Sequence, residues 1–170
     1  VEAFDIIVVG GGGSGLAAAL SAAQRGSSVQ VLEKGEQCGG TTALAVDSYT
    51  AAGTRLQQHA GIEDSVDDHI VDLPGFAPPE IEVRNNDHLR SHFLRHAAEA
   101  WNWLDDLGMA FQGPMPEPPN RAPRMHNVVP KAHIYISTFL KHLKKYEVKI
   151  SCGQAVTELI QEKSRVIGVR

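Results

Sequence analysis

Apolar and polar positions change rhythm several times along this chain, and each change predicts an element. The run Phe4 to Val9 is short and β-type, and it stops at the glycine cluster Gly10 to Gly13. Ser14, Gly15 and an alanine-rich stretch follow, which predicts a helix from Ser14 to about Arg25. After Gly26 a second β-type run, Val29 to Leu32, ends on the acid Glu33. Strand, glycine turn, helix and strand make the βαβ start of a parallel sheet, and so an α/β fold of Rossmann type. Gly35 to Thr42 is turn-rich and contains a second glycine pair, Gly39 and Gly40. Short helices are predicted over Ala51 to Ala60 and Ser65 to Leu73, the second capped by Asp64 or Ser65. Pro74 to Asn86 reads as a loop. Asp87 is the expected cap of the longest helix, His88 to about Leu107, which Gly108 stops. Five prolines between Gly113 and Arg124 predict an extended loop. A further helix is expected from about Ala132 to Tyr146, then strands over Val148 to Ser151, Ala155 to Gln161 and Val166 to Val169. Residues 74–130 thus read as a helical and proline-rich insert in a single α/β domain.

The first glycines carry a specific chemistry. Gly10-x-Gly12-x-x-Gly15 fits the dinucleotide fingerprint, and Glu33 lies about 20 residues on, where an acid receives a ribose 2′-hydroxyl. Gly10 allows a sharp turn, Gly12 lets a pyrophosphate approach the backbone, and Gly15 lets the helix pack close to the strand. The helix start adds free N–H groups and a positive dipole end. Glu33 would repel a 2′-phosphate, which disfavours NADP.

Composition changes this picture little. A length of 170 residues suits one domain, and 42% hydrophobic content with a net charge of -4 is ordinary for a globular chain. The chain has no basic stripe or basic amphipathic helix, so nucleic acid and membrane surfaces are not expected partners. Ile6 to Ala23 has glycines at its centre and no preceding basic region, unlike a membrane or signal segment. The two cysteines, Cys38 and Cys152, stand far apart in no metal-type pattern, which predicts a reduced, cytoplasmic protein. Arg165 to Arg170 is strand-like with no closing turn, and the chain starts without methionine. The expectation is a piece of a longer protein, with the remaining strands elsewhere. Loss of those strands would expose apolar surface and favour self-association.

Asp5-Ile-Ile-Val-Val-Gly-Gly-Gly-Gly-Ser-Gly-Leu-Ala-Ala-Ala19 and Val31-Leu-Glu-Lys34 resemble the FAD-binding start of the fumarate reductase and succinate dehydrogenase flavoprotein family. That family includes soluble fumarate reductases and 3-ketosteroid dehydrogenases. Cys38-Gly-Gly-Thr-Thr42 is similar to its second glycine motif, and Ala155 to Ile160 with Arg165 to Val169 to the strand pair flanking the adenine. The resemblance implies FAD, with Gly10, Gly12, Gly13, Ser14 and Gly15 at the pyrophosphate and Glu33 at the adenosine ribose beside Lys34. It implies Gly40, Thr41 and Thr42 near the ribityl chain and isoalloxazine, and the backbone of Ala155 or Val156 at the adenine. Thr41 stands where membrane-bound relatives carry the histidine linked to FAD, so the implied cofactor is non-covalent. Asp47-Ser48 replaces a glycine pair found in many relatives.

The implied activity is a dehydrogenation or reduction of an activated C–C bond, with a dicarboxylate or enone-type small molecule as substrate. Catalytic residues are unassigned here, since the resemblance implies a substrate cap domain beyond Arg170 and puts the family's proton-moving cap arginine or tyrosine there. Arg124-Met-His126 resembles a segment near the substrate cleft. There His126 would orient a carboxylate or carbonyl, and Arg121 or Arg124 would attract an anion. Solvated loop residues are the alternative at these positions, and a hydroxyl-capped turn the alternative for Thr41 and Thr42. His88, His92 and His96 share a helix face beside the apolar stripe Leu89, Phe93, Ala97, Ala100, Trp101 and Leu104. Three residues in such a row cannot converge on one ion, so no metal site is expected. For the whole chain, a non-catalytic nucleotide-binding module and an NAD-dependent dehydrogenase stand as alternatives.

Overall fold

The computed structural model describes residues 2–170. In chain order its strands are β1 (Ile6–Val9), β2 (Val29–Leu32), β3 (Ser48–Thr50), β4 (Ala110–Met115), β5 (Met125–Val129), β6 (Lys149–Ser151), β7 (Leu159–Glu162) and β8 (Arg165–Val169). Its α-helices are α1 (Gly13–Gln24), α2 (Arg55–His59), α3 (Val66–Asp72), α4 (Pro79–Glu82), α5 (Asp87–Asp106) and α6 (His133–Lys145). They fall into two units. One comprises the chain up to Ala45 with Ala132–Arg170, the other Val46–Lys131.

The first unit is the expected α/β structure. β2 lies between β1 and β6 and is parallel to both, with Val31 opposite Val8 on one side and Ile150 on the other. Parallel neighbours need a crossover, and α1 supplies it between β1 and β2. Leu16, Ala19, Leu20 and Ala23 recur at helical spacing along α1 and are buried where it packs on β1, β2 and α6. Ile136, Phe139 and Leu143 are the matching stripe of α6. Val29 and Val31, two apart in β2, are buried too. β7 and β8 form an antiparallel hairpin. The strand predicted over Ala155 to Gln161 shortens to Leu159–Glu162. The amide of Gln154 donates instead to the Glu33 carbonyl at 2.9 Å, which carries this segment along the end of β2.

The second unit departs further from expectation. β5 is the centre of an antiparallel sheet, flanked by β3 and β4, and none of the three was predicted. Part of the proline-rich stretch is strand because its register shifts between Gln112 and Met115, letting the ladder step past Pro114, which has no N–H to donate. Ala51 and Ala52, read as helix, are buried beyond β3, with the Ala51 amide donating to the Arg124 carbonyl at 3.1 Å. Thr54 then caps the shorter α2, and Ser65 caps α3. The 74–86 segment holds a 3₁₀ turn, Leu73–Phe76, and α4.

Asn86, not Asp87, caps α5, its side chain accepting from the Leu89 amide at 3.0 Å. Asp87 sits in the first turn, where negative charge offsets the helix dipole. The buried stripe of α5 is Leu94, Ala97, Trp101 and Leu104, whereas Leu89 and Phe93 are 65% and 55% exposed. The Trp101 ring lies 5.0 Å from Phe111 and 5.1 Å from His126, which fixes the stripe's orientation. His88, His92 and His96 lie on the exposed side.

His69 on α3 is buried, and neither ring nitrogen has a hydrogen-bond partner. Burial, reinforced by the Arg124 charge and opposed by Asp64 and Asp72, pushes its pKa down from 6.5 to about 4. The folded state therefore keeps the ring neutral, and unfolding takes up a proton below the unfolded pKa. Its contribution to stability is complete above pH 6.5 and is lost as the pH falls toward 4. About 3 kcal/mol should disappear across that window. Denaturant titrations at several pH values should show the loss in the wild type and a flatter profile in His69→Leu. Equal slopes for the two would refute this account.

Candidate functional site

The site is assembled from the loops at the carboxyl ends of β1, β2 and β6. β1 ends at Gly10, whose φ of 104° is a conformation that favours glycine. Its amide donates to the Leu32 carbonyl at 2.8 Å, so the turn is tied to β2. α1 starts at once, with Gly12, which has no side chain of its own to accept from the helix, as its cap. A Cβ on Gly15 would stand 2.0 Å from the Gly10 carbonyl oxygen, which shows how closely the helix rests on the strand. Around Gly10 a Cβ would meet nothing within 4 Å, and on Gly12 only the Gly39 oxygen at 4.0 Å. That open space beside the backbone is what a pyrophosphate needs.

The first amides of a helix have no partners inside it. Thr42 Oγ1 accepts that of Gly13 at 3.2 Å, leaving those of Ser14 and Gly15 for a ligand. Thr42 thus serves as the hydroxyl cap of the turn, while Thr41 is exposed. The second glycine pair crosses the first. Gly39 and Gly12 form an isolated parallel bridge, and the Gly39 amide donates to the Gly11 carbonyl at 2.9 Å. Gly40, at a φ of 53°, brings its α-carbon within reach of the Gly12 backbone, 3.4 Å from where its Cβ would be. This crossing joins residues far apart in the chain, and the sequence signalled it only as two glycine clusters.

Glu33 is held by backbone on both oxygens: Gly35 donates to Oε1 at 2.7 Å and Gly11 to Oε2 at 2.6 Å. These donors, Gly35 first, keep the carboxyl below its usual range and hence ionised. Each oxygen retains acceptor capacity for a ribose hydroxyl. Glu33 lines a cavity of about 260 Å³ with Gly10, Lys34, Gln154, Ala155 and Val156. The structure therefore brings the predicted adenosine residues together. Gln154, which no local motif marks, belongs with them because its amide is clamped to the Glu33 carbonyl. An acid at one end, unpaired helix amides beside it and glycine backbone between them fit an adenine dinucleotide.

Arg124 and His126 require a correction. Both are completely buried in the second unit, neither solvated nor open to a substrate. The Arg124 guanidinium grips Asp64 with two bonds of 2.7 Å, and its Nη1 reaches Asp72 at 2.8 Å and Asn120 at 2.9 Å. Burial opposes its charge, yet the bonds to Asp64 and Asp72 raise its pKa further. Burial likewise pushes Asp64 upward, but the Arg124 and Gln57 bonds outweigh it and hold the acid below the usual carboxylate range. Arg121 is also engaged, by Asp72 and Asp68. His126 lies 3.2 Å from the Tyr49 carbonyl through Nδ1 and 2.8 Å from Thr54 Oγ1 through Nε2. A carbonyl can only accept, so Nδ1 carries the proton and Nε2 accepts from Thr54. Burial lowers the His126 pKa and keeps the ring neutral. Arg124 and His126 thus build an interior, while Arg121 is an exposed residue paired with acids.

Among the described residues, no helix is long and apolar enough to cross a membrane, and no group of three His, Cys, Asp or Glu is arranged to hold a metal ion. The chain is 32% identical over 175 residues to an NADH:fumarate oxidoreductase of Klebsiella pneumoniae (strain 342), covering 99% of this chain but 18% of that protein. Its fold matches the open conformation of a flavocytochrome c3 fumarate reductase with a TM-score of 0.86 and 24% identity, over 98% of this chain and 29% of that one. It also matches a 3-ketosteroid-Δ4-(5α)-dehydrogenase from Rhodococcus jostii RHA1, with a TM-score of 0.78 and 24% identity, over 98% of this chain and 41% of that one. The family model described as the FAD binding domain spans residues 5–170, and with the paired glycine turns and Glu33 in place the chain belongs to that family.

Proposed function

We propose that this chain is the FAD-binding part of a larger oxidoreductase that adds or removes hydrogen across an activated C–C bond of a small molecule. The observation that carries the reading is the crossing of Gly39 over Gly12 beside the backbone-held Glu33, a second loop that a nicotinamide site does not need. The names of the relatives, fumarate and ketosteroid enzymes, support a dicarboxylate or enone as substrate. That the chain spans only 18% of the Klebsiella protein supports a substrate-binding portion outside it. Within this chain, the Ser14 and Gly15 amides would hold the pyrophosphate, with Gly10, Gly12 and Gly13 giving it room. Glu33 would accept the ribose hydroxyls beside Lys34, and Gln154, Ala155 and Val156 would border the adenine. Gly40 and Thr41 would face the ribityl chain, with Thr42 holding their loop against α1. FAD, when bound, supplies the hydride chemistry, and the protein supplies its position and electrostatics.

The absence of a histidine at Thr41 supports non-covalent attachment, and the cysteine usage supports a cytoplasmic setting. We assign the insert to the second unit, Val46–Lys131, and the catalytic acid and base to residues outside this chain. The test is a visible spectrum of the purified whole protein, repeated on the supernatant after denaturation. A flavin spectrum that leaves with the supernatant is expected. Colour that stays with the protein would overturn the non-covalent assignment, and a protein colourless even after addition of FAD would overturn the flavoenzyme reading.

A further inference from the structure

Cys38 and Cys152 are remote in sequence, and their segments both lie against Glu33 beside the dinucleotide loops. Cys152 directly follows β6, and the next two amides fasten its segment to the turn after β2. Gly153 donates to the Gly35 carbonyl at 2.8 Å and Gln154 to the Glu33 carbonyl at 2.9 Å. On the other side, the amide next to Cys38, that of Gly39, donates to the Gly11 carbonyl at 2.9 Å. The Cys38 sulfur rests on Gly11, 2.5 Å from where a Cβ would stand. Backbone bonds therefore fix both segments around Glu33, whose amide donates to the carbonyl of Ser151, the residue before Cys152, at 2.9 Å, and both cysteines are free. Metal binding is not the use of this pair, since no cluster of three ligands includes it among the described residues.

We propose that Cys38 and Cys152 form a dithiol site that low-molecular-weight disulfides oxidise to an intrachain disulfide. Cys152 is exposed and Cys38 half-buried, which sets the order of events. The Cys152 thiolate attacks one sulfur of the disulfide RSSR, forming a mixed disulfide and releasing one RS⁻. Cys38 then attacks the Cys152 sulfur, and the second RS⁻ leaves. Each released thiolate takes up the proton given off by one cysteine. The protein loses two hydrogens and RSSR becomes two RSH. Burial first, then the neighbouring Cys152, push the Cys38 thiol from 9.0 up to about 11, so it attacks poorly on its own. In the mixed disulfide it is already beside its target, and proximity replaces acidity. The link joins the loop carrying Gly39 to the end of β6, on either side of the Glu33 turn.

The reduced full chain, treated with oxidised glutathione near neutral pH, is read by intact mass and non-reducing peptide mapping. The expected product has lost two hydrogens and contains a Cys38–Cys152 linked peptide. Cys38→Ser should stop at the glutathione adduct on Cys152, and Cys152→Ser should react at Cys38 at least about tenfold more slowly than Cys152 reacts in the wild type. A wild-type chain that stops at the Cys152 adduct, or that links only to a second chain, would overturn the proposal. The wild-type reading stands even where a serine variant folds poorly, and it does not depend on flavin.

Discussion

Replacing Gly15 with alanine should destabilise the first unit by about 3 kcal/mol and abolish retention of FAD. The added Cβ would lie 2.0 Å from the Gly10 carbonyl oxygen and 3.3 Å from Val8 Cγ1. The carbonyl is main chain in the turn between β1 and α1 and has no rotamer by which to retreat. Either α1 lifts from β1 or the turn shifts, and both movements displace the amides of Ser14 and Gly15. For a chain of this length the melting temperature should fall by roughly 6–12 °C. Gly12→Ala is the informative contrast, because its Cβ meets only the Gly39 oxygen, at 4.0 Å. It should melt within about 1 kcal/mol of the wild type yet lose FAD, since the methyl group occupies the open side of the turn. Thermal unfolding and flavin absorbance of the two purified variants make the comparison. Gly15→Ala melting like the wild type would remove the close-packing argument.

The second large effect is expected at Arg124. Arg124→Ala should cost about 4 kcal/mol, because it leaves buried carboxylates without their cation. Asp64 is the more vulnerable partner, with a side chain 2% exposed and its remaining polar partners Gln57 and Ser65. Asp72 keeps Arg121, which holds it well below the usual carboxylate range by its side-chain bonds. Pairing the change with Asp64→Asn should recover part of the loss, since the amide carries no charge to strand. Arg124→Lys keeps the charge but cannot reproduce the two-bond grip on Asp64, and should fall between. Chemical denaturation of the three variants decides the matter. A loss below about 1 kcal/mol for Arg124→Ala would show that the network contributes little.

Local chemistry made the nucleotide half of this chain legible. The glycine turn, α1, β2 and α6 follow from residues adjacent in sequence, as does the position of Glu33 at the end of β2. The second unit was harder for identifiable reasons. β3 is a three-residue strand and β4 contains Gly113 and Pro114, so neither carries a strand period long enough to read. On α5, Leu89 and Phe93 look as apolar as Leu94. Only the neighbours of Trp101 decide which of them is covered.

Neighbouring residues thus specify the βαβ start, the open glycine turn and an acid at the ribose position. These depend on backbone freedom and side-chain period within a few residues. Packing between distant segments brought Gly39 across Gly12, set Gln154 beside Glu33 and placed the segments of Cys38 and Cys152 on the same turn. It also turned Arg124 and His126 from substrate candidates into interior residues, through partners as distant in sequence as Asp64 and Thr54. Whether a charge is free or buried depends on which surfaces the fold presses together, and that is set by packing across the whole unit rather than by local order.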